Sequence, residues 1–199
     1  VIKGDSSEYQ LITKHICTLK LEPVTLTCEI GLREGLGSKI IMDAIRELKP
    51  QLHKHVAVDP YNNLIYQHYD NEELATAGYT EDMKQRTVHY MYQNYPEFDF
   101  FHMTDHYYFK TMGEGHQFVY NKELVLFGLY QVVHLDGPHT TKAVIDELSF
   151  FIPRMTTKGL IIIDDYQDLQ MGIVDMLLKT YNFNVAEKGD NKIIYQKEI

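Results

Sequence analysis

The chain has 199 residues, 44% of them hydrophobic, enough for one substantial core and short for two. Lysine and arginine total 19 against 28 acids, a formal charge of -9, so a face built to grip a nucleic-acid backbone is not expected. Neither Cys17 nor Cys28 belongs to a CxxC pair, no apolar run reaches the roughly 18 residues of a membrane span, and no signal peptide is visible. The expectation is a soluble cytoplasmic protein with no membrane partner and both cysteines buried as small apolar residues.

An N-terminal helical extension (residues 1–22, its helix from Glu8 to Leu19) precedes a single α/β domain (residues 23–199). Val24 to Ile30 (VTLTCEI) reads as a strand that ends at a glycine loop. Ser38 is placed to cap a helix over Lys39 to Leu48, whose buried stripe is Ile40, Ile41, Ala44, Ile45 and Leu48. His55 to Val58 forms the next strand and stops at Asp59-Pro60, which completes a βαβ unit. Tyr61 to Gly78 is polar and tyrosine-bearing, without periodicity. A helix capped by Thr80 follows to Gln93, then a strand over Phe98 to Met103, a loop at Gly113 and Gly115, and a short helix over Asn121 to Phe127.

The second half gives a strand at Tyr130 to Leu135, a helix at Thr140 to Phe151 and the strand LIIIDD opened by Gly159. A helix over Asp168 to Lys179 leads to two closing strands, Phe183 to Ala186 and Lys192 to Gln196, joined through Gly189-Asp190-Asn191.

The loop CEIGLREGLGS is not a phosphate loop. Its order is Gly37-Ser38-Lys39 where that loop needs Gly-Lys-Ser/Thr, and its glycines at 31, 35 and 37 miss the dinucleotide spacing. Glu29 at its entrance repels a pyrophosphate and attracts an ammonium group.

Glu29-x-Gly31-x-x-x-Gly35-x-x-Ser38, with Asp59 at the next strand end, resembles the cofactor loop of class I S-adenosylmethionine-dependent methyltransferases. The block LDGPHTTKAVIDELSFFIPRMTTKGLIIIDDYQ is similar to a subgroup that includes the macrocin-type sugar O-methyltransferases and relatives of cephalosporin hydroxylase. The resemblance implies a Rossmann-like, doubly wound, mostly parallel sheet with an antiparallel C-terminal strand. It implies S-adenosylmethionine as cofactor, with Glu29, Gly31, Gly35 and Ser38 about its methionine part, Asp59 on both ribose hydroxyls, Asp105 near the adenine, and Asp136 among both the cofactor-binding and the catalytic residues. A small hydroxylated, sugar-like acceptor fits the same resemblance, and a homo-oligomer stays open.

Asp136 and the Asp164-Asp165 pair close two strands, and clustered carboxylates suit magnesium or another divalent cation. In the resembled sugar O-methyltransferases such aspartates hold a metal that orients the acceptor hydroxyls. The subgroup's candidate base two residues after Asp136 is Pro138 here, which leaves His139 as the proton acceptor. The stretch Phe98 to Tyr120 packs eight aromatics and three histidines into 23 residues, as an acceptor wall or as core. Two other readings stay open: a methyltransferase-fold binding protein without catalysis, and a nicotinamide-dependent oxidoreductase.

Overall fold

A computed structural model describes residues 2–4, 6–62, 64–76 and 78–198. The chain opens with α1 (Tyr9–Ile16), β1 (Val24–Ile30), α2 (Leu36–Leu48) and β2 (Leu52–Val58). Two short strands, β3 (Ile65–Tyr66) and β4 (Ala75–Thr76), pair within the segment after β2. Then come α3 (Glu81–Asn94), β5 (Phe98–Phe101), α4 (Asp105–Thr111), β6 (His116–Tyr120) and β7 (Glu123–Phe127). The remainder is β8 (Tyr130–Leu135), α5 (Thr141–Phe151), β9 (Met155–Ile163), α6 (Met171–Thr180), β10 (Phe183–Lys188) and β11 (Ile193–Lys197).

Seven strands form one sheet in the order β10-β11-β9-β8-β1-β2-β5. Every pairing from β9 to β5 is parallel, and β11 runs antiparallel to both of its neighbours. This is the expected Rossmann-like α/β sheet. The strand order reverses between β1 and β8, where open α/β sheets bind their ligands.

Alternation along the strands sends side chains to two cores. Cys28, Val56, Val133, Ile161 and Ile163 face α5 and α6, packing on Val144, Leu148, Phe151, Val174 and Leu178. Val132, Leu160, Ile162 and Ile194 face the other way, onto Ile12 and Ile16 of α1 and Ile41 and Ile45 of α2. The N-terminal helix is therefore part of one helical layer. Cys17 is exposed rather than buried, because it stands beyond the apolar face of α1.

Several elements differ from the sequence reading. Helix α2 starts at Leu36 with Gly35 as its N-cap, so Ser38 lies inside the first turn and caps nothing. The expected helix over Asn121 to Phe127 is instead the second strand of a hairpin with β6. Asn121 and Lys122 both take positive φ, as a two-residue hairpin turn requires, and the five apolar-rich residues that follow are too few for a helix. Asp105 opens the short helix α4. Asp168 closes a 3-10 turn, and α6 begins at Met171. Among the described residues no helix is long and apolar enough to cross a membrane.

Helix α5 carries one buried liability. Glu147 is 1% exposed, and neither of its carboxyl oxygens has a hydrogen-bond partner. Burial, reinforced by repulsion from Asp105 and Asp146, pushes its pKa far above the usual carboxylate range. The unfolded value is roughly 4.3. A raised folded-state pKa means stability that is full below that value and is lost as pH rises through the folded pKa. Glu147→Gln removes this loss. It is expected to stabilise the protein by about 1–3 kcal/mol at mildly alkaline pH, with the gain vanishing near pH ~4; thermal melts at both pH values check this, and an equal gain at both rejects it.

Candidate active site

The sheet register assembles the site. The first residue past each central strand still bonds its neighbour: Gly31 N–H donates to Val58 O (2.9 Å), Asp59 N–H to Phe101 O (3.2 Å), Asp136 N–H to Ile30 O (2.9 Å) and Asp164 N–H to Leu135 O (3.0 Å). Glycine and three aspartates thus stand in one row at the carboxyl edge of β1, β2, β8 and β9.

Glu29 ends in the interior and not in the loop. One of its oxygens accepts from Ser38 N–H (2.8 Å) and from the Ser38 hydroxyl, and the other accepts from His134 Nδ1 (2.8 Å). The carboxylate occupies the anion position at the N-terminus of α2, where a phosphate would otherwise bind. The arrangement continues inward: Ser38 Oγ contacts His55 Nε2 (2.8 Å), and His55 Nδ1 contacts Thr27 Oγ1 (2.8 Å). Burial holds His55 well below its ordinary pKa, so the ring is neutral. With Ser38 donating to Glu29, His55 Nε2–H donates to Ser38 and Thr27 donates to His55 Nδ1. His134 Nε2 is left buried without a partner.

Two glycines make this geometry possible. A Cβ on Gly37 would lie 1.9 Å from Glu29 Oε1. One on Gly31, at φ +88°, would lie 2.0 Å from the Asp136 carbonyl oxygen. Gly35, also at positive φ, packs beneath α3.

Asp59 is buried and organises the loop. Its Oδ2 accepts from Leu32 N–H (3.0 Å) and Arg33 N–H (2.9 Å), and its Oδ1 from Tyr61 N–H (2.7 Å). Burial outweighs those three donors and pushes its pKa up to about 6. Asp59, Asp105, Asp136 and Gly31 line one cavity of about 230 Å³, walled on the far side by Tyr66 and Tyr79. Asp136 is 15% exposed; burial first, then Asp164 and Glu29, raises its pKa well above normal.

His139 stands beside this cavity. Its Nε2 lies 3.9 Å from Asp136 Oδ1 and 3.7 Å from Asp165 Oδ2, and burial lowers its pKa to about 4. Asp165 takes positive φ and turns outward, accepting from the Tyr69 hydroxyl (2.9 Å) and Asn191 Nδ2 (2.8 Å). Asp164 is fully buried and pairs with Lys192 (2.7 Å). Burial would raise its pKa, but His134, Lys192 and Ser6 hold it below the ordinary value. The three aspartates therefore do not converge as an open oxygen cage. Among the described residues, the group of three whose ligand atoms lie within 4.8 Å of one another is Glu29, His134 and Asp136.

The family of methyltransferase domains matches residues 28–166, more than half of the chain and all of this row. The chain belongs to that family. Among solved structures the methyltransferase is similar to the O-methyltransferase NovP, at 13% identity over 96% of this chain and 79% of that one, with a TM-score of 0.64. It is also similar to an rRNA methylase from Streptococcus thermophilus (8% identity, 99% and 100% covered, TM-score 0.58). A third is SMU.1697c from Streptococcus mutans, solved in complex with SAH (10% identity, 98% and 99% covered, TM-score 0.58). At these identities the likeness is one of fold. No curated protein matches the chain.

Sequence reasoning missed His134, Lys192 and the aromatic roof. His134 hides in the apolar run YQVVHL, and its one signal is that a strand facing α2 places it level with Glu29. The roof comes from the segment after β2: Tyr69 stacks on His139 at 5.6 Å, and Asp70 accepts from the Thr141 amide (2.9 Å). In the stretch Phe98 to Tyr120, Phe98, Tyr108 and His116 are buried, Phe101, Phe109 and Phe118 pack half-buried against the core, Tyr107 and Tyr120 are exposed, and Thr104 and Asp105 reach the cavity.

The close fit at Gly37 makes a direct test. Gly37→Ala is expected to destabilise the methyltransferase by about 2–4 kcal/mol, because the Cβ displaces a buried carboxylate. Gly172→Ala, in α6 with open space around it, is expected to stabilise it by about 0.5–1 kcal/mol. Denaturant melts of the pair check the contrast.

Proposed function

We propose that the chain transfers a methyl group from S-adenosylmethionine to an oxygen of a small hydroxylated acceptor. The observation that carries the reading is the row of Gly31, Asp59, Asp105 and Asp136 around one cavity, in a chain of the methyltransferase family. S-adenosylmethionine supplies an electrophilic methyl group on a sulfonium, so the reaction is an in-line displacement whose rate comes mostly from positioning.

The residues fit that cofactor, with adjustments to the sequence reading. A carboxylate has about four acceptor positions, and Asp59 has filled three with loop amides. One position remains, which suits a single ribose hydroxyl. Asp105, in the first turn of α4 and on the cavity wall, is the residue assigned to the adenine amino group in this reading. Glu29 and Ser38 act at one remove by fixing the turn into α2, and Asp136 is the carboxylate left for the methionine ammonium. Excess negative charge at the cavity edge favours a sulfonium and an ammonium and repels a pyrophosphate, which argues against a nicotinamide cofactor.

His139 is the proton acceptor. It is neutral above pH about 4, and Asp165, fixed by Tyr69 and Asn191, stabilises the imidazolium that forms when the acceptor hydroxyl gives up its proton. NovP, an O-methyltransferase of the same fold, and SMU.1697c, solved with SAH, support both the oxygen acceptor and the cofactor.

Calorimetry tests the cofactor. S-adenosylmethionine and its demethylated product are expected to bind and NAD is not; binding of NAD alone overturns the reading. With an acceptor in hand, His139→Ala is expected to lower kcat by about 10²–10⁴-fold at unchanged cofactor affinity. The rate is expected to fall as pH drops through about 4, where His139 takes up a proton. A rate insensitive to His139→Ala rejects the base assignment.

A further inference from the structure

The aspartates that would hold a divalent ion do not fit one. Asp164 Oδ1 accepts from the Ser6 hydroxyl (2.9 Å) and from Asp165 N–H (3.0 Å), and Asp164 Oδ2 lies 2.7 Å from Lys192 Nζ, with both side chains 0% exposed. Asp165 is turned outward, accepting from Tyr69 and Asn191. In the alternative group, Glu29 is already bonded to Ser38 and His134. The ligand atoms left outside those bonds are His134 Nε2 and the Asp136 carboxylate, a buried nitrogen and one carboxylate where magnesium and calcium take oxygen ligands.

We propose that the buried ammonium of Lys192 is the resident cation of this site, paired with one of the aspartates to which the resemblance assigns a divalent ion, and that the chain works without a metal. A dedicated cage holds it. The Glu8 carboxylate accepts from the backbone N–H groups of Asp190 (2.9 Å), Asn191 (2.7 Å) and Lys192 (3.0 Å), and so fixes the turn that starts the last strand. Lys192 Nζ donates to Ser6 Oγ (2.7 Å), and the Tyr9 ring lies 4.6 Å from it. Three residues of the N-terminal segment thus serve one ammonium. A desolvated carboxylate needs a counter-charge to stay ionised, and a lysine supplies it at +1 without open coordination positions.

Two consequences follow. A fixed positive charge beside Asp164 repels a dication from the same spot. It also ion-pairs with Asp164 and acts on Asp136 only at longer range. In the proposed methyl transfer, on which this last point rests, Asp136 is then free for the cofactor's ammonium, and the acceptor's proton goes to His139 rather than being lost at a metal.

Manganese titration followed by electron paramagnetic resonance tests the proposal without any turnover. Wild type is expected to show no saturable Mn²⁺ site tighter than about 1 mM. Lys192→Met keeps the side chain's bulk, leaves Asp164 uncompensated, and is expected to bind Mn²⁺ at least about tenfold tighter than wild type. Adding Asp164→Asn to that variant is expected to abolish the gain. A stoichiometric wild-type site with Kd below about 1 mM, lost in Asp136→Asn, overturns the proposal. So does a folded Lys192→Met that binds Mn²⁺ no better than wild type. If Lys192→Met does not fold, the wild-type titration decides, alongside Lys192→Arg, which keeps the charge and is expected to bind no Mn²⁺. Affinity for S-adenosylhomocysteine, measured with and without EDTA, is expected to be unchanged. Its absence altogether would sink the cofactor reading and leave the metal result standing.

Discussion

The fold depends on where it puts the carboxylate of Glu29. A buried, ionised side chain is tolerated when the charge is met by donors, and here the donors are the first-turn amide of α2, the Ser38 hydroxyl and His134. This one group joins β1, β8 and α2, because each contributes an atom to it. It also explains the glycines of the loop. Gly37 leaves the space that the carboxylate fills, and Gly31 lets β1 turn against the backbone of Asp136. Those glycines admit parts of the protein itself; the ligand cavity begins one layer further out, at Asp59 and Asp136.

That layering has an electrostatic result. The helix N-terminus is the strongest fixed anion site available at the switch point of such a sheet, and Glu29 occupies it. A phosphate-bearing ligand would have to compete with a covalently tethered carboxylate for the same amides. Beyond them it would meet Asp59 and Asp136. A cationic or zwitterionic ligand meets the opposite field. In the proposed reading, the preference for a sulfonium nucleoside over a dinucleotide comes from the occupant of α2's N-terminus as much as from the cavity's lining.

Much of this was legible in the sequence, for identifiable reasons. The strands VTLTCEI and YQVVHL are β-branched runs with clear ends, and the structure has them at Val24–Ile30 and Tyr130–Leu135. Asp59, Asp136 and Asp164 could be placed on a common edge because each follows such a run in a parallel sheet. What could not be read were facts of direction and distance. Adjacent in sequence, Asp164 and Asp165 point to different partners, since Asp165 adopts positive φ. Glu29 sits beside a loop in the sequence but faces inward, because strand alternation puts it on the α2 side. The aperiodic segment after Asp59 carried no pattern at all, yet it supplies the roof through Tyr66, Tyr69 and Asp70. The residues Asn121 to Phe127 were too short a window for periodicity to separate strand from helix.

Lys192 shows the same limit in its sharpest form. In sequence it is an ordinary lysine after a Gly-Asp-Asn turn, the kind of residue expected in solvent. Its burial is dictated from the other end of the chain, by Glu8 gripping the turn and Ser6 receiving the ammonium. Neither contact leaves a mark in local composition, because 184 positions separate Glu8 from Lys192. The charge of the site is therefore set jointly by its two terminal segments and its central strands. Residues outside the 28–166 family match decide how many of the carboxylates inside it remain unpaired.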